Sequence, residues 1–146
     1  MKTDRTALNK GTTLIETVVA VSILMLFISG ICGLALYAKQ VSDRAGDQYR
    51  AVNIAKNRIE RARNSDFALI TGFAESNTRV NGNGSPDSDG FYRRTTVVTE
   101  DPFSAGNSNL VQVAVQVNTL NRKSLDFTGG TVSLQTYIAR YMEPES

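Results

Sequence analysis

Two residues in Gly11-Thr12-Thr13-Leu14-Ile15-Glu16 could take part in chemistry. Glu16 brings a carboxylate to the threshold of an apolar run, residues 17–38, that holds no charged residue. A carboxylate near hydrocarbon costs about 2.5–3.5 kcal/mol on insertion scales, so it is retained for a partner or a task. Gly11 is the small residue between a polar, basic stretch and that apolar run. A cut after it would release the basic stretch and keep the apolar one. Together, a basic leader, a glycine and an acid five residues later read as a processing signal joined to an assembly device.

The elements that must carry these residues follow from the pattern around them. A secretory signal places its apolar region before the cleavage site. Here the order is reversed, with the small residue first and the apolar stretch after it. At 1.5 Å per residue, residues 17–38 as a helix reach about 33 Å, which matches a hydrocarbon core of roughly 30 Å. This run is expected to be a membrane span. Lys2, Arg5 and Lys10 precede it against Asp4, which favours a cytoplasmic N-terminus and an outer remainder. Gly30 and Gly33 interrupt the span and allow either close helix approach or local melting.

Bulk composition narrows the function classes. Of 16 Lys and Arg and 14 Asp and Glu, residues 1–11 hold three and one, leaving 13 of each sign beyond. Nucleic acid is therefore not an expected partner, because phosphate binding needs a basic excess. The chain has no histidine, the commonest general base and metal ligand. Its one cysteine, Cys32, lies in the apolar run and is read as a small hydrophobe. Serine, aspartate and glutamate occur singly, without nucleophile–base spacing. No catalytic residue, metal site or cofactor is expected, and the chain is not read as an enzyme.

The leader ending in Gly11, followed by Thr12-Thr13-Leu14-Ile15-Glu16, resembles the prepilin processing motif of type IV pilins and type II secretion pseudopilins. The family usually has phenylalanine after the glycine, where this chain has Thr12. The resemblance implies that a prepilin peptidase cuts between Gly11 and Thr12 and that the new Thr12 amine is N-methylated. Glycine suits such a cut, since it admits an extended backbone without a side-chain clash. It also implies that Glu16 neutralises the amine of a neighbouring subunit during filament packing. An unpaired charge in a low dielectric is costly, so such a pair rewards correct axial register.

Beyond the span, Val41, Ala45, Gln48, Val52, Ala55, Ile59 and Ala62 step alternately by four and three residues. All but Gln48 are apolar, which predicts one helical stripe at a period near 3.5, covering a small sheet. Arg44, Arg50, Arg58 and Arg61 fall off the stripe. The basic cluster Lys56, Arg58, Arg61 and Arg63 is read as a solvated face. Asn64-Ser65-Asp66 offers a helix end. Residues 76–90 are read as a polar connecting loop. Within it Asp87-Ser88-Asp89-Gly90 has a calcium-loop look, but Ser85 replaces an acidic ligand and no glutamate stands at the twelfth position.

Three strands are expected, at residues 91–99, 110–120 and 131–141. In the second, Val111, Val113, Val115 and Val117 alternate with Gln112, Ala114, Gln116 and Asn118. The valine face should lie on the helix and the glutamine face should meet solvent or another subunit. Residues 51–61 and the strand Val132-Ser133-Leu134-Gln135-Thr136-Tyr137-Ile138-Ala139 are also similar to parts of minor pilins and minor pseudopilins.

The expected fold is thus α+β and pilin-like: a long N-terminal helix, half in membrane and half exposed, packed on a small antiparallel sheet. Its expected divisions are a leader (1–11), a transmembrane or filament-core half-helix (12–38), an amphipathic half-helix (39–66), an αβ loop (67–90) and a β domain (91–146). The resemblance implies a structural subunit of a type IV pilus or type II secretion filament. Its partners would be other pilin or pseudopilin subunits, prepilin peptidase, an inner-membrane assembly platform and the membrane. It would sit in the inner membrane, single-pass with its C-terminal domain outside the cytoplasm, and then in the filament. A single-span anchored binding module that never polymerises is the alternative.

Overall fold

The apolar run and the segment after it form one helix, α1 (Leu14–Arg63), in the computed structural model, which describes residues 13–103, 109–121 and 124–140. Chain contacts divide the protein into two units, Met1–Ser42 and Asp43–Ser146. In the first, the Thr13 carbonyl accepts the N–H groups of Glu16 (2.9 Å) and Thr17 (3.3 Å) and starts the helix. Helical geometry is unbroken at Gly30 and Gly33, and a methyl group at either would meet nothing in the chain. The melting that two glycines allow is therefore not seen.

The second unit is α+β. The part of α1 within it covers a four-stranded antiparallel meander in the order β1-β2-β3-β4. The strands are β1 (Glu75–Val80), β2 (Tyr92–Glu100), β3 (Leu110–Asn121) and β4 (Asp126–Ala139). Val111, Val113, Val115 and Val117 are all buried, while Gln116 is exposed and Gln112 half-buried, as their alternation predicts. These valines meet Ala51, Ile54, Ala55, Ile59 and Ala62 of α1, with Ile70, Val80 and Tyr92 closing the core. Burying each valine contributes about 1.5–3 kcal/mol.

The buried stripe differs from the expected one. Ala55, Ile59 and Ala62 belong to it, but Val41, Ala45, Gln48 and Val52 are exposed. Its upper part runs through Ile54 and Ala51 instead. A straight helix turns every 3.6 residues and drifts about 20° per heptad from a 3.5-residue repeat. One line of contacts cannot follow the repeat for its whole length. α1 ends at Arg63, where Asn64 and Ser65 still bond back to Glu60 and Ala62 and the Ser65 hydroxyl caps the Arg61 carbonyl at 2.8 Å.

Residues 67–90 are more structured than the connecting loop expected there. A 3-10 segment, Phe67–Phe73, buries Ile70 under the sheet, and β1 follows it. β1 has no apolar alternation, and only Val80 in it is buried. Its pairing to β2 (Val80 to Tyr92, Arg79 to Arg93, Thr78 to Arg94) is what makes it a strand. β4 also starts earlier than residue 131. Gly129 lies inside it, where a Cβ would stand 2.9 Å from the Thr119 hydroxyl.

The remaining loop holds itself together. The Asn81 side-chain oxygen accepts the N–H groups of Asn83 (3.0 Å) and Ser85 (3.1 Å), and Val80 bridges to Pro86. Gly90 is required at its end, since a Cβ would lie 2.2 Å from the Val80 carbonyl oxygen. Backbone is the obstacle, so Gly90→Ala is expected to cost about 2 kcal/mol, within the range for overpacking. Chemical denaturation of the detergent-solubilised chain measures it.

Candidate functional site

Glu16 is the one charged residue from Thr13 to the end of the apolar run at Ala38. Every residue from Thr13 to Lys39 is exposed within the chain, including Leu14, Ile15, Leu26 and Phe27. A soluble protein rarely exposes so large a continuous apolar surface. The helix is long and apolar enough to cross a membrane. Its hydroxyl groups suit that setting: Thr17 donates to the Leu14 carbonyl, Ser22 to Val18 and Ser29 to Met25, each at 2.8 Å. Each of these three hydroxyls is satisfied by its own helix, as hydrocarbon requires. Glu16 differs, because among the described residues its carboxylate has no hydrogen-bond or ion-pair partner. Its place in the first turn of α1 is favoured by the helix dipole. The expected cleavage pair, Gly11 and Thr12, lies outside the described residues, as does the whole leader.

The second concentration of charge is in the outer unit, and the sequence reading missed it. Arg94 is 3 % exposed, on the core side of β2. It donates Nη1–H to the Gly84 carbonyl at 2.8 Å and Nη2–H to Glu75 Oε2 at 3.2 Å, and its Nε–H also bonds Glu75. The Thr96 hydroxyl donates to Glu75 Oε1 at 3.0 Å. Arg58 of α1 reaches Glu75 Oε2 at 3.4 Å, donates to the Phe73 carbonyl at 2.9 Å and stacks on the Phe73 ring. Burial pushes the Glu75 carboxyl up. The Arg94 hydrogen bonds and charge, then Thr96 and Arg58, outweigh this and hold it below its ordinary value. The cluster ties helix, 3-10 segment, β1, β2 and loop to one carboxylate. Every acceptor atom of Glu75 is engaged within the fold, which is the arrangement of a structural lock.

Arg58 therefore corrects the expected solvated basic face. It turns inward, and Arg63 donates to the Thr136 hydroxyl at 2.8 Å, while Lys56 and Arg61 stay exposed. A signal for the cluster was present in the sequence: Tyr92, Arg94 and Thr96 share one face of β2, so a core-facing arginine needs an acid.

Asp87 Oδ1 accepts the Asp89 N–H at 2.9 Å, the bond of an aspartate turn. Among the described residues no group of three acidic, histidine or cysteine side chains comes together to hold a metal. Cys32 is a free, exposed thiol on the apolar helix. Comparison with protein-family models, curated proteins and solved structures finds no match for this chain.

Proposed function

We propose that this chain is a structural subunit of a type IV pilin-like filament, a minor pilin or minor pseudopilin. It is made as an inner-membrane precursor, cut between Gly11 and Thr12 by a prepilin peptidase, methylated at Thr12 and packed through its N-terminal helix. The observation that carries this reading is the Glu16 carboxylate, without a partner among the described residues, on a helix whose Thr17, Ser22 and Ser29 hydroxyls are bonded to their own backbone. Such a carboxylate is costly in a lone subunit and stabilising once a cation from a neighbour meets it. Cleavage creates that cation at Thr12. Support also comes from the α+β outer unit, whose helix, loop and antiparallel strands come in the order the resemblance implies.

Cell fractionation tests the reading. With an active prepilin peptidase, the chain should appear in the sheared filament fraction; without the peptidase, all of it should stay in the membrane. A non-polymerising anchored module would stay in the membrane in both strains, and that result would contradict the proposal.

A further inference from the structure

Within the outer unit the sheet has a fixed direction along α1. Arg63, the last residue of the helix, donates to Thr136 of β4, which pairs with Val113. Arg58 meets Glu75 of β1, whose β2 partner Thr96 pairs with Val115. Asp47, near the start of the unit, accepts the Tyr92 hydroxyl, and Tyr92 pairs with Thr119. β3 therefore runs back along the helix. From Arg63 to Asp47 the helix rises about 24 Å, and from Val113 to Thr119 the strand rises about 20 Å. Beyond Thr119, β3 continues through Leu120 to Asn121, and β4 begins at Asp126. The β3–β4 turn thus lies at the end of the outer unit where the chain enters it, at Asp43.

Leu125 sits in this turn against two local preferences. It is 78 % exposed and stands outside the core. Its φ is 55°, in the left-handed region that glycine and asparagine take easily and a bulky side chain does not. The Asn121 carbonyl accepts the Leu125 N–H at 2.8 Å and holds it there. Packing within the outer unit explains neither the exposed leucine nor its backbone. Phe91 lies at the same end. It is 58 % exposed, and its carbonyl accepts the Leu120 N–H at 2.9 Å.

We propose that this end of the outer sheet rests on the membrane from which the chain emerges, with Leu125 set into the headgroup layer and Phe91 at its surface. Both side chains then leave water, which is the favourable direction for apolar surface. Reach selects a lipid surface as the partner. Asp43 is five residues beyond Ala38, the end of the apolar run, and five residues span at most about 18 Å. Headgroups extend the membrane by about 5–7 Å beyond its hydrocarbon core, towards the outer unit. The inference rests on residues 17–38 spanning the membrane and does not depend on filament assembly.

Depth-dependent fluorescence quenching of the full chain in phosphatidylcholine vesicles tests it, with a polarity-sensitive dye on a single cysteine. On the native Cys32 the dye reports the span, and a lipid spin-labelled deep in its acyl chain should quench it. In a Cys32→Ser background, the dye on Leu125→Cys should shift to the blue and lose intensity to a lipid spin-labelled at its headgroup. On Gln116→Cys, exposed near the middle of β3, it should show neither change. Adding Phe91→Asp to Leu125→Cys should weaken the headgroup quenching. If Cys32 is quenched and position 125 behaves like 116, the span stands and the docking is overturned. If Cys32 is not quenched, both fail. A blue shift at 125 without headgroup quenching would mean that another protein surface covers Leu125, and this too overturns the proposal.

Discussion

Replacing Glu16 by alanine is expected to leave membrane insertion and cleavage after Gly11 intact while removing the chain from filaments. The cut site lies five residues before Glu16, and the apolar run that anchors the chain is untouched. What is lost is the proposed partner for the Thr12 amine. An unpaired charge at the centre of a membrane helix costs about 2.5–3.5 kcal/mol, and one packed among apolar helices in a filament faces a cost of that order, so loss of the pair should lower incorporation on the order of a hundredfold. Glu16→Gln separates charge from shape. It keeps the side-chain length and one acceptor oxygen but not the charge, and it should fail nearly as badly as alanine. Quantitative blotting of sheared filaments against membrane measures both variants. Normal incorporation of Glu16→Gln would show that charge pairing is not the assembly determinant.

The second large effect concerns the outer unit. Arg94→Ala is expected to destabilise it by about 3–5 kcal/mol, the cost of leaving a buried charge without its partner. Glu75, with its side chain 15 % exposed, would keep only the longer Arg58 contact at 3.4 Å and the Thr96 hydroxyl. Glu75→Gln should cost less, about 3 kcal/mol, because Arg94 keeps its bond to the Gly84 carbonyl and Arg58 its bond to the Phe73 carbonyl. The pH dependence has a definite sign. Burial opposes ionisation of Glu75, but Arg94, Thr96 and Arg58 hold its folded pKa below the ordinary glutamate value. Its contribution is then complete above the unfolded pKa, about 4.3, and is lost as pH falls through the lower folded value. Denaturation midpoints of the wild type should therefore fall below about pH 4, and this fall should be shallower in Glu75→Gln. Equal slopes would mean that the carboxylate is not the linked group.

The parts of this protein that were legible in its sequence are those set by local periodicity. The valines of β3 alternate strictly, and a strand with one buried face can pair in few ways. The apolar run needs only length and composition to be read as a helix. What escaped was set by partners distant in the chain. β1 has almost no apolar pattern and exists because β2 offers it a ladder. Ala51 and Ile54 replaced Val41 to Val52 on the buried face because the sheet decides where along α1 the cover lies. Arg58 looked like one more solvated cation, and only the fold brings Phe73 and Glu75 within its reach. At the candidate assembly site the sequence carried more than the fold adds. Glu16 and the neutral run after it are both sequence facts. The structure contributes Glu16's place in the first turn, the bonded hydroxyls of Thr17, Ser22 and Ser29, and a carboxylate with no partner among the described residues.

The central claim is that Glu16 is kept because processing makes its partner. Intact-mass analysis of the chain isolated from cells with an active prepilin peptidase tests this most directly. The account predicts a protein that starts at Thr12 and carries one added methyl group on its amine. A protein that still starts at Met1 in those cells would contradict it.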